Sequence, residues 1–315
     1  MKKIEITVVI PCYNSEKTIV AVTDDLVASL ENRTKNYEII LVNDGSKDDV
    51  WSRIKELSEK YPGVIGLNLS RNYGQHNALM AGFNYAKGEV VVTMDDDGQN
   101  DPKYIWDLID KLSEGFDVVI ARYPKLEENG FRRLGSLVNK KMAEALVDKP
   151  KNIRGSSYRA FRSYVIKEMI KYDKSYPYLP GLIYRVTKNV TEVSVEHKKR
   201  MYGQSGYTLK KLVSLVINGF TAFSVKPLRV SSFIGCMSSI IGFIFGIVVI
   251  IRKLLNPIIQ MGYSSMMSVL LFIGGLILLS LGIIGEYVGR IYIGINNSPQ
   301  FVVKEISGSS TKINN

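Results

Sequence analysis

The chain has 315 residues, 46% of them hydrophobic and 23% charged, with two cysteines and a formal net charge of +11. This apolar content excludes disorder as the main state, and the length suffices for one large catalytic domain with an appendage. Cys12 and Cys236 exclude a disulfide framework and a cysteine-based metal site, and fit a reducing compartment.

The N-terminal stretch MKKIEITVVIPCYN has a short apolar run and no small-residue cleavage site, so no secretory signal is expected. Strand-like runs at Ile6–Ile10, Glu38–Val42, Val64–Leu69, Val90–Met94 and Val118–Ile120 alternate with helical segments. The helices are expected around Glu16–Leu30, Asp48–Tyr61, Asn77–Ala86 and Pro102–Glu114, with Ser15 and Asp101 as caps. Such alternation predicts an α/β domain with a mainly parallel sheet covered on both faces, its ligands bound at the carboxyl ends of the strands. Most of the positive surplus lies before position 230, spread along the chain with clusters such as His197–Lys198–Lys199–Arg200. No recognition helix or RNA-binding signature accompanies it, so nucleic acid is set aside in favour of an anionic membrane surface and anionic substrates.

Within Thr208–Ser224, Leu209, Leu212, Val213, Val216 and Ile217 recur at helical spacing beside Lys210 and Lys211. This predicts an amphipathic helix in the membrane interface, a helix packed on the preceding domain being the alternative. The charge-free runs Val230–Ile251 and Met266–Gly285 are each long enough to cross a hydrocarbon core of about 30 Å. The expected organisation is a catalytic domain over 1–207, a juxtamembrane helix over 208–229, and transmembrane helices over 230–251 and 266–285. A short external loop over 252–265 joins the spans, and a C-terminal tail over 286–315 is disordered from Ser307 onward. Two crossings return the chain to its starting side, so both ends are expected to be cytoplasmic. Lys210, Lys211, Lys226, Arg229 and Arg290 agree with that orientation, whereas Arg252 and Lys253 oppose it.

Three strand ends carry the candidate chemistry. Asp95–Asp96–Asp97, with Gln99 close behind, offer hard oxygen ligands to Mg²⁺ or Mn²⁺ carried in by a diphosphate. A solvated acidic turn capping the helix after Pro102 is the alternative. Asn43, Asp44 and Ser46 follow a second apolar run, where a carboxylate can accept from a base N–H or a ribose hydroxyl, or serve ordinary turn chemistry around Gly45. In VVIPCYN, Pro11 closes the first strand and Tyr13 is placed to lie against a nucleobase.

Taken in order, IPCYN, VNDGS, NLSRNYGQHNALMAGF and MDDDGQNDP resemble the family 2 glycosyltransferases of GT-A fold. RNYGQH, RMYGQSGY and GEYVGRIY are most similar to the polyprenyl-phosphate group, which includes bacterial undecaprenyl-phosphate glucosyl and aminoarabinose transferases and dolichyl-phosphate mannose synthases. The resemblance spans roughly residues 4–300. It implies an inverting enzyme of the inner or plasma membrane that moves a sugar from a nucleotide sugar, expected to be a UDP-sugar, to undecaprenyl phosphate with Mg²⁺ or Mn²⁺. By the same resemblance Pro11, Tyr13, Asp44, Arg71 and Asp95 lie at the nucleotide. Asp95, Asp96 and Asp97 form the catalytic cluster, with Asp97 and Gln99 on the metal. Arg122, Arg132, Ser136, Arg200 and Ser205 grip the acceptor phosphate. A homo-oligomer is implied too, a tetramer as relatives form.

The chain departs from the family pattern at three positions. Asn43 stands where Asp is common, Gly206 where Lys often follows the R-x-x-G-x-S pattern, and Ile153 where many relatives carry an Asp assigned as base. A lipid phosphate is already anionic at neutral pH and needs little deprotonation, so no base is assigned. Arg154 and Arg159 bind phosphate or flank a strand. His76 reads as a packing or capping residue, and Tyr176 and Tyr178 as core or as the lining of a sugar or prenyl groove. The alternatives are a transferase with a different lipid acceptor and a catalytically inactive nucleotide-sugar-binding scaffold. A processive synthase lacks support because Q-x-x-R-W is absent.

Overall fold

The computed structural model describes residues 4–123, 153, 155–196, 226–255, 263–295 and 299–308. The expected interfacial helix and Arg132, Ser136, Arg154, His197, Arg200, Ser205 and Gly206 lie outside these residues. The chain divides into two units, Met1–Lys211 with Asn297–Asn315, and Leu212–Asn296.

The first unit is built on β1 (Ile6–Cys12), α1 (Ile19–Glu31), β2 (Tyr37–Asn43), α2 (Val50–Lys60), β3 (Val64–Leu69), α3 (Gln75–Tyr85) and β4 (Val90–Thr93). It continues with α4 (Ile105–Ser113), β5 (Val118–Arg122), β6 (Arg159–Arg162), α5 (Ser163–Met169), α6 (Leu179–Val186), β7 (Val190–Ser194) and β8 (Val303–Ser307). Eight strands form one sheet in the order β7-β5-β6-β4-β1-β2-β3-β8. β1, β2, β3 and β4 run parallel, while β6 is antiparallel to both β4 and β5, and β8 is antiparallel to β3.

All seven residues of β1 are buried, as a strand covered on both faces requires. Side chains alternate across the sheet, so Ile6, Val8 and Ile10 join Leu26, Ile54 and Leu108 of α1, α2 and α4 in one core. Val9 and Val42 point the other way, against α3 at Gly82. The expected caps divide. Asp101 accepts from the Lys103 amide at the start of a short turn of helix, whereas α1 begins after Thr18, three residues beyond Ser15.

The second unit holds α7 (Lys226–Leu255) and α8 (Tyr263–Ile295), both long and apolar enough to cross a membrane. The hydroxyls of Ser231 and Ser280 meet at 3.0 Å. Both helices extend past the expected spans, because backbone hydrogen bonding continues through flanking charged and polar residues that the apolar run does not include. The segment expected as a tail over 286–315 holds the end of α8 and then β8, and Ser307, expected to open a disordered stretch, is the last strand residue. Gly66, Leu67 and Asn68 of β3 supply the backbone partners that make β8 a strand.

Candidate active site

The order β4-β1-β2 places the ends of three parallel strands side by side, and the strand order reverses at β1, with β2 and β3 laid down on one side and β4 on the other. A ligand crevice is expected outside such a switch point. The three motifs found in the sequence are the residues at these ends, and side chains knit them together. The Tyr13 amide donates to Asp96 Oδ2 at 3.0 Å, linking β1 to β4. Asn14, in the left-handed region at φ 53°, donates from its amide to Ser46 Oγ and accepts from the Lys47 amide, both at 3.0 Å. Glu16 and Asp48 cap reciprocally, the Glu16 amide donating to Asp48 Oδ2 and the Asp49 amide to Glu16 Oε2.

Asp44 is buried, and its two carboxylate oxygens accept the Tyr73 and Gly74 amides at 2.7 and 2.8 Å. Burial raises its pKa, and these two bonds pull it back. Gly45 has φ +61°, and a Cβ there would run into the backbone of Arg71 and Asn72. VNDGS and RNYG are therefore one packed structure. Asp44 shapes this loop, in keeping with the turn chemistry expected as the alternative to base or ribose contact. Beside it the Arg71 guanidinium lies 4.7 Å from the centre of the Tyr73 ring, and Tyr13 is half exposed. Pro11 sits inside β1, one residue before its end, and is buried. Asn43 donates to Asn68 Oδ1 and accepts from the Ser46 amide, so it serves the turn without a charge.

The three aspartates do not act alike. Asp95 Oδ1 accepts from Gln75 Nε2 at 2.9 Å, its Oδ2 accepts from the Ser157 hydroxyl, and its amide donates to Asn100 Oδ1. Asp96 faces β1, accepting from Tyr13, while its backbone carbonyl accepts from Thr18 Oγ1 at 2.6 Å. Asp97 Oδ1 accepts from the Gln99 amide at 3.0 Å. Burial raises Asp95 and carries Asp96 up to about 6, with the neighbouring aspartates adding to both. Hydrogen bonds from Ser157 and Gln75 to Asp95, and from Tyr13 to Asp96, work against these shifts without cancelling them. Among the described residues no three His, Cys, Asp or Glu side chains form a metal cage. Asp97 and Gln99 offer two oxygen donors on one turn, and this fits Mg²⁺ or Mn²⁺, hard ions that take oxygen ligands and fill their shell with diphosphate and water.

The remaining expected residues spread outward. Arg122, at the end of β5, is exposed and lies 3.9 Å from Glu192, with β6 between its strand and β4. Arg159 opens β6 opposite Thr93, buried, with its Nε unpartnered among the described residues. Burial lowers its pKa and Asp95 counters the shift. Ile153, where the resemblance implies an aspartate, is 4% exposed and one of the buried apolar residues. His76 Nδ1–H donates to the Pro177 carbonyl at 3.2 Å, and burial with the nearby Arg159 lowers its pKa to about 4. It is a neutral packing residue beside Tyr178, with ring centroids 5.9 Å apart. Tyr176 is half exposed. Sequence reasoning missed Gln75, Ser157 and Asn100 as partners of Asp95. Gln75 stood within RNYGQH, but a glutamine at a helix start carries no signal of what it touches.

The profile of Glycosyl transferase family 2 matches residues 7–170, and that of the GtrB C-terminal hairpin matches 226–291. The chain belongs to glycosyl transferase family 2. This family 2 glycosyltransferase is 33% identical over 314 residues to the undecaprenyl-phosphate 4-deoxy-4-formamido-L-arabinose transferase of Serratia proteamaculans (strain 568), covering 98% of this chain and 96% of that one. It is equally 33% identical over 312 residues to the glycosyltransferase YkcC of Bacillus subtilis (strain 168), covering 99% and 97%. Among solved structures, glucosyl-3-phosphoglycerate synthase from Mycobacterium tuberculosis, in complex with Mn²⁺, UDP-glucose and phosphoglyceric acid, shares the fold. The TM-score is 0.50 at 20% identity, over 68% of this chain and 76% of that one.

Proposed function

We propose that this glycosyltransferase moves a sugar from a UDP-sugar to undecaprenyl phosphate, with a divalent cation held by Asp97 and Gln99. The observation that carries the reading is the meeting of IPCYN, VNDGS and MDDDGQ at three adjacent strand ends in a chain with two membrane-length helices. The near full-length likeness to the Serratia transferase supports the acceptor.

Tyr13 and Arg71, both exposed beside the β1 and β2 ends, hold the nucleoside, while Asp44 fixes the loop that carries Arg71. The cation, when bound, neutralises charge on the leaving diphosphate. Arg122, with Arg132, Ser136, Arg200 and Ser205, holds the acceptor phosphate, which attacks C1 from the opposite face and inverts it. That phosphate arrives as an anion, so the apolar Ile153 costs the reaction little. Positioning and electrostatics supply most of the acceleration.

β8 follows α8 in the chain yet pairs with β3 of the sheet that precedes α7, which supports a helical pair that leaves and returns on one side of an inner or plasma membrane. We place that side in the cytoplasm, where nucleotide sugars are made. A homo-oligomer is part of the reading. Gly235, Gly242, Gly246, Gly274 and Gly275 have open space where a Cβ would stand, leaving room for close helix packing.

The test is nucleoside-diphosphate release by detergent-purified full chain across UDP-, GDP- and dTDP-sugars, with and without undecaprenyl phosphate and Mn²⁺. Release that needs both lipid and metal is expected. UDP binding with no release from any donor would sink the enzyme reading in favour of a scaffold.

A further inference from the structure

One exposed side chain joins the two halves of the site. Asp44, just past the end of β2, grips the amides of Tyr73 and Gly74 at 2.7 and 2.8 Å. The next residue, Gln75, opens α3 and reaches Asp95 Oδ1, just past the end of β4, at 2.9 Å. β1 lies between β2 and β4, so the loop arches over the end of the central strand. The other oxygen of Asp95 is taken by the Ser157 hydroxyl, and Arg159, two residues further on, is held opposite Thr93 of β4. Asp95 is therefore gripped from two elements, and it stands two residues before Asp97.

We propose that Gln75 is a positioning residue that couples the nucleoside-holding loop to the metal-holding turn, so that nucleoside diphosphate and divalent cation bind cooperatively. The proposal rests on the reading that Asp97 and Gln99 hold the cation. An amide N–H donated to a carboxylate is a charge-assisted bond with a defined direction. Without it the Asp95 carboxylate keeps the Ser157 hydroxyl, and the Gln75 tie between the loop and the turn that carries Asp97 is lost. The Asp44 clamp does not involve Gln75 and survives. Because Gln75 is exposed, its replacement removes little buried surface.

The experiment is calorimetric titration of the full chain in detergent with UDP, with and without Mn²⁺, for wild type, Gln75→Ala, Gln75→Glu and Asp97→Ala. In Gln75→Ala the enhancement of UDP affinity by Mn²⁺ is expected to fall about tenfold, or ~1.4 kcal/mol. Metal-free UDP affinity should stay within about twofold and the melting temperature should hold. Gln75→Glu sets a carboxylate against Asp95 and should lose at least as much. Enhancement unchanged in both variants overturns the proposal. So does a parallel fall in metal-free and metal-bound affinity, which would mark a merely structural role. In Asp97→Ala the enhancement should vanish. Enhancement lost there but intact in both Gln75 variants defeats the coupling alone, whereas enhancement surviving in Asp97→Ala defeats the cation reading and the proposal with it.

Discussion

Within the sheet, Val8, Val9, Ile10, Ile39, Ile40 and Leu41 are fully buried, whereas on the helical pair Phe243 is 73% exposed, Leu278 71% and Leu255 80%. The same side-chain types meet opposite fates. In the first unit a strand's apolar residues are covered by helices, and its chemistry collects where the strand ends and backbone groups come free. In the second, apolar residues point outward along two long helices, an area no isolated soluble surface leaves to water. A bilayer is the apolar surround we propose for them. Damage to the two units should therefore separate cleanly, chemistry failing in one and membrane retention in the other.

Asp97→Ala gives the largest effect expected. Loss of the cation site should lower turnover about 10³-fold, or ~4 kcal/mol of barrier, measured as nucleoside-diphosphate release. The variant should stay in the membrane fraction through an alkaline wash. If it leaves the membrane, the units are not independent and the contrast fails.

Phe243→Arg is the converse. An arginine near the middle of an apolar span costs about 3 kcal/mol of insertion, so the membrane-retained fraction should drop. UDP binding by whatever protein is recovered should persist. Normal retention would mean that this face of α7 meets protein or water instead of lipid.

His76 sharpens the picture inside the sheet unit. Its folded pKa is about 4 against an ordinary 6.5, with burial the larger cause and Arg159 the next. Between those values the unfolded chain binds more protons than the folded one, so stability rises with pH across this window and levels off above it. Acidification from pH 6.5 to 4 should cost at most ~3 kcal/mol, less whatever solvent screening the half-buried ring receives. Melting curves of wild type and His76→Asn at pH 7.5 and 4.5 provide the check. An equal acid loss in both would assign the effect elsewhere.

What the sequence revealed follows the same division. β1 to β5 and their helices were legible because apolar runs and amphipathic stretches alternate at the right lengths. β7 and β8 were not, and β6 only as one of two readings of Arg159. RAFR has an arginine at each end, one of them buried, and VKEIS is a polar five-residue segment in what reads as a tail. Each becomes a strand only through partners supplied by distant chain, as β3 does for β8. At the site, the residue types at the strand ends were legible, but not the direction of their bonds. Asp44 turned toward the neighbouring loop and Asp95 toward Gln75 and Ser157, pairings between segments tens of residues apart that no local pattern encodes.

The smallest expected effect probes the strand that follows the helical pair. Trp51 Nε1 donates to Glu305 Oε2 at 2.9 Å, and the hydroxyls of Ser58 and Ser307 meet about two turns further along α2. Both contacts fasten β8 to α2, so the chain leaving α8 is tied back into the domain that precedes α7. The Trp51 bond is exposed, so Trp51→Phe should remove about 1 kcal/mol and lower the melting temperature by roughly 2–4 °C, with turnover unchanged. Glu305→Gln keeps an acceptor for the indole and should lose less. A far larger drop would mean that β8 holds more of the sheet together than an edge strand does. A loss of turnover without a drop would mean that the attachment of β8 sets the working position of the strand ends.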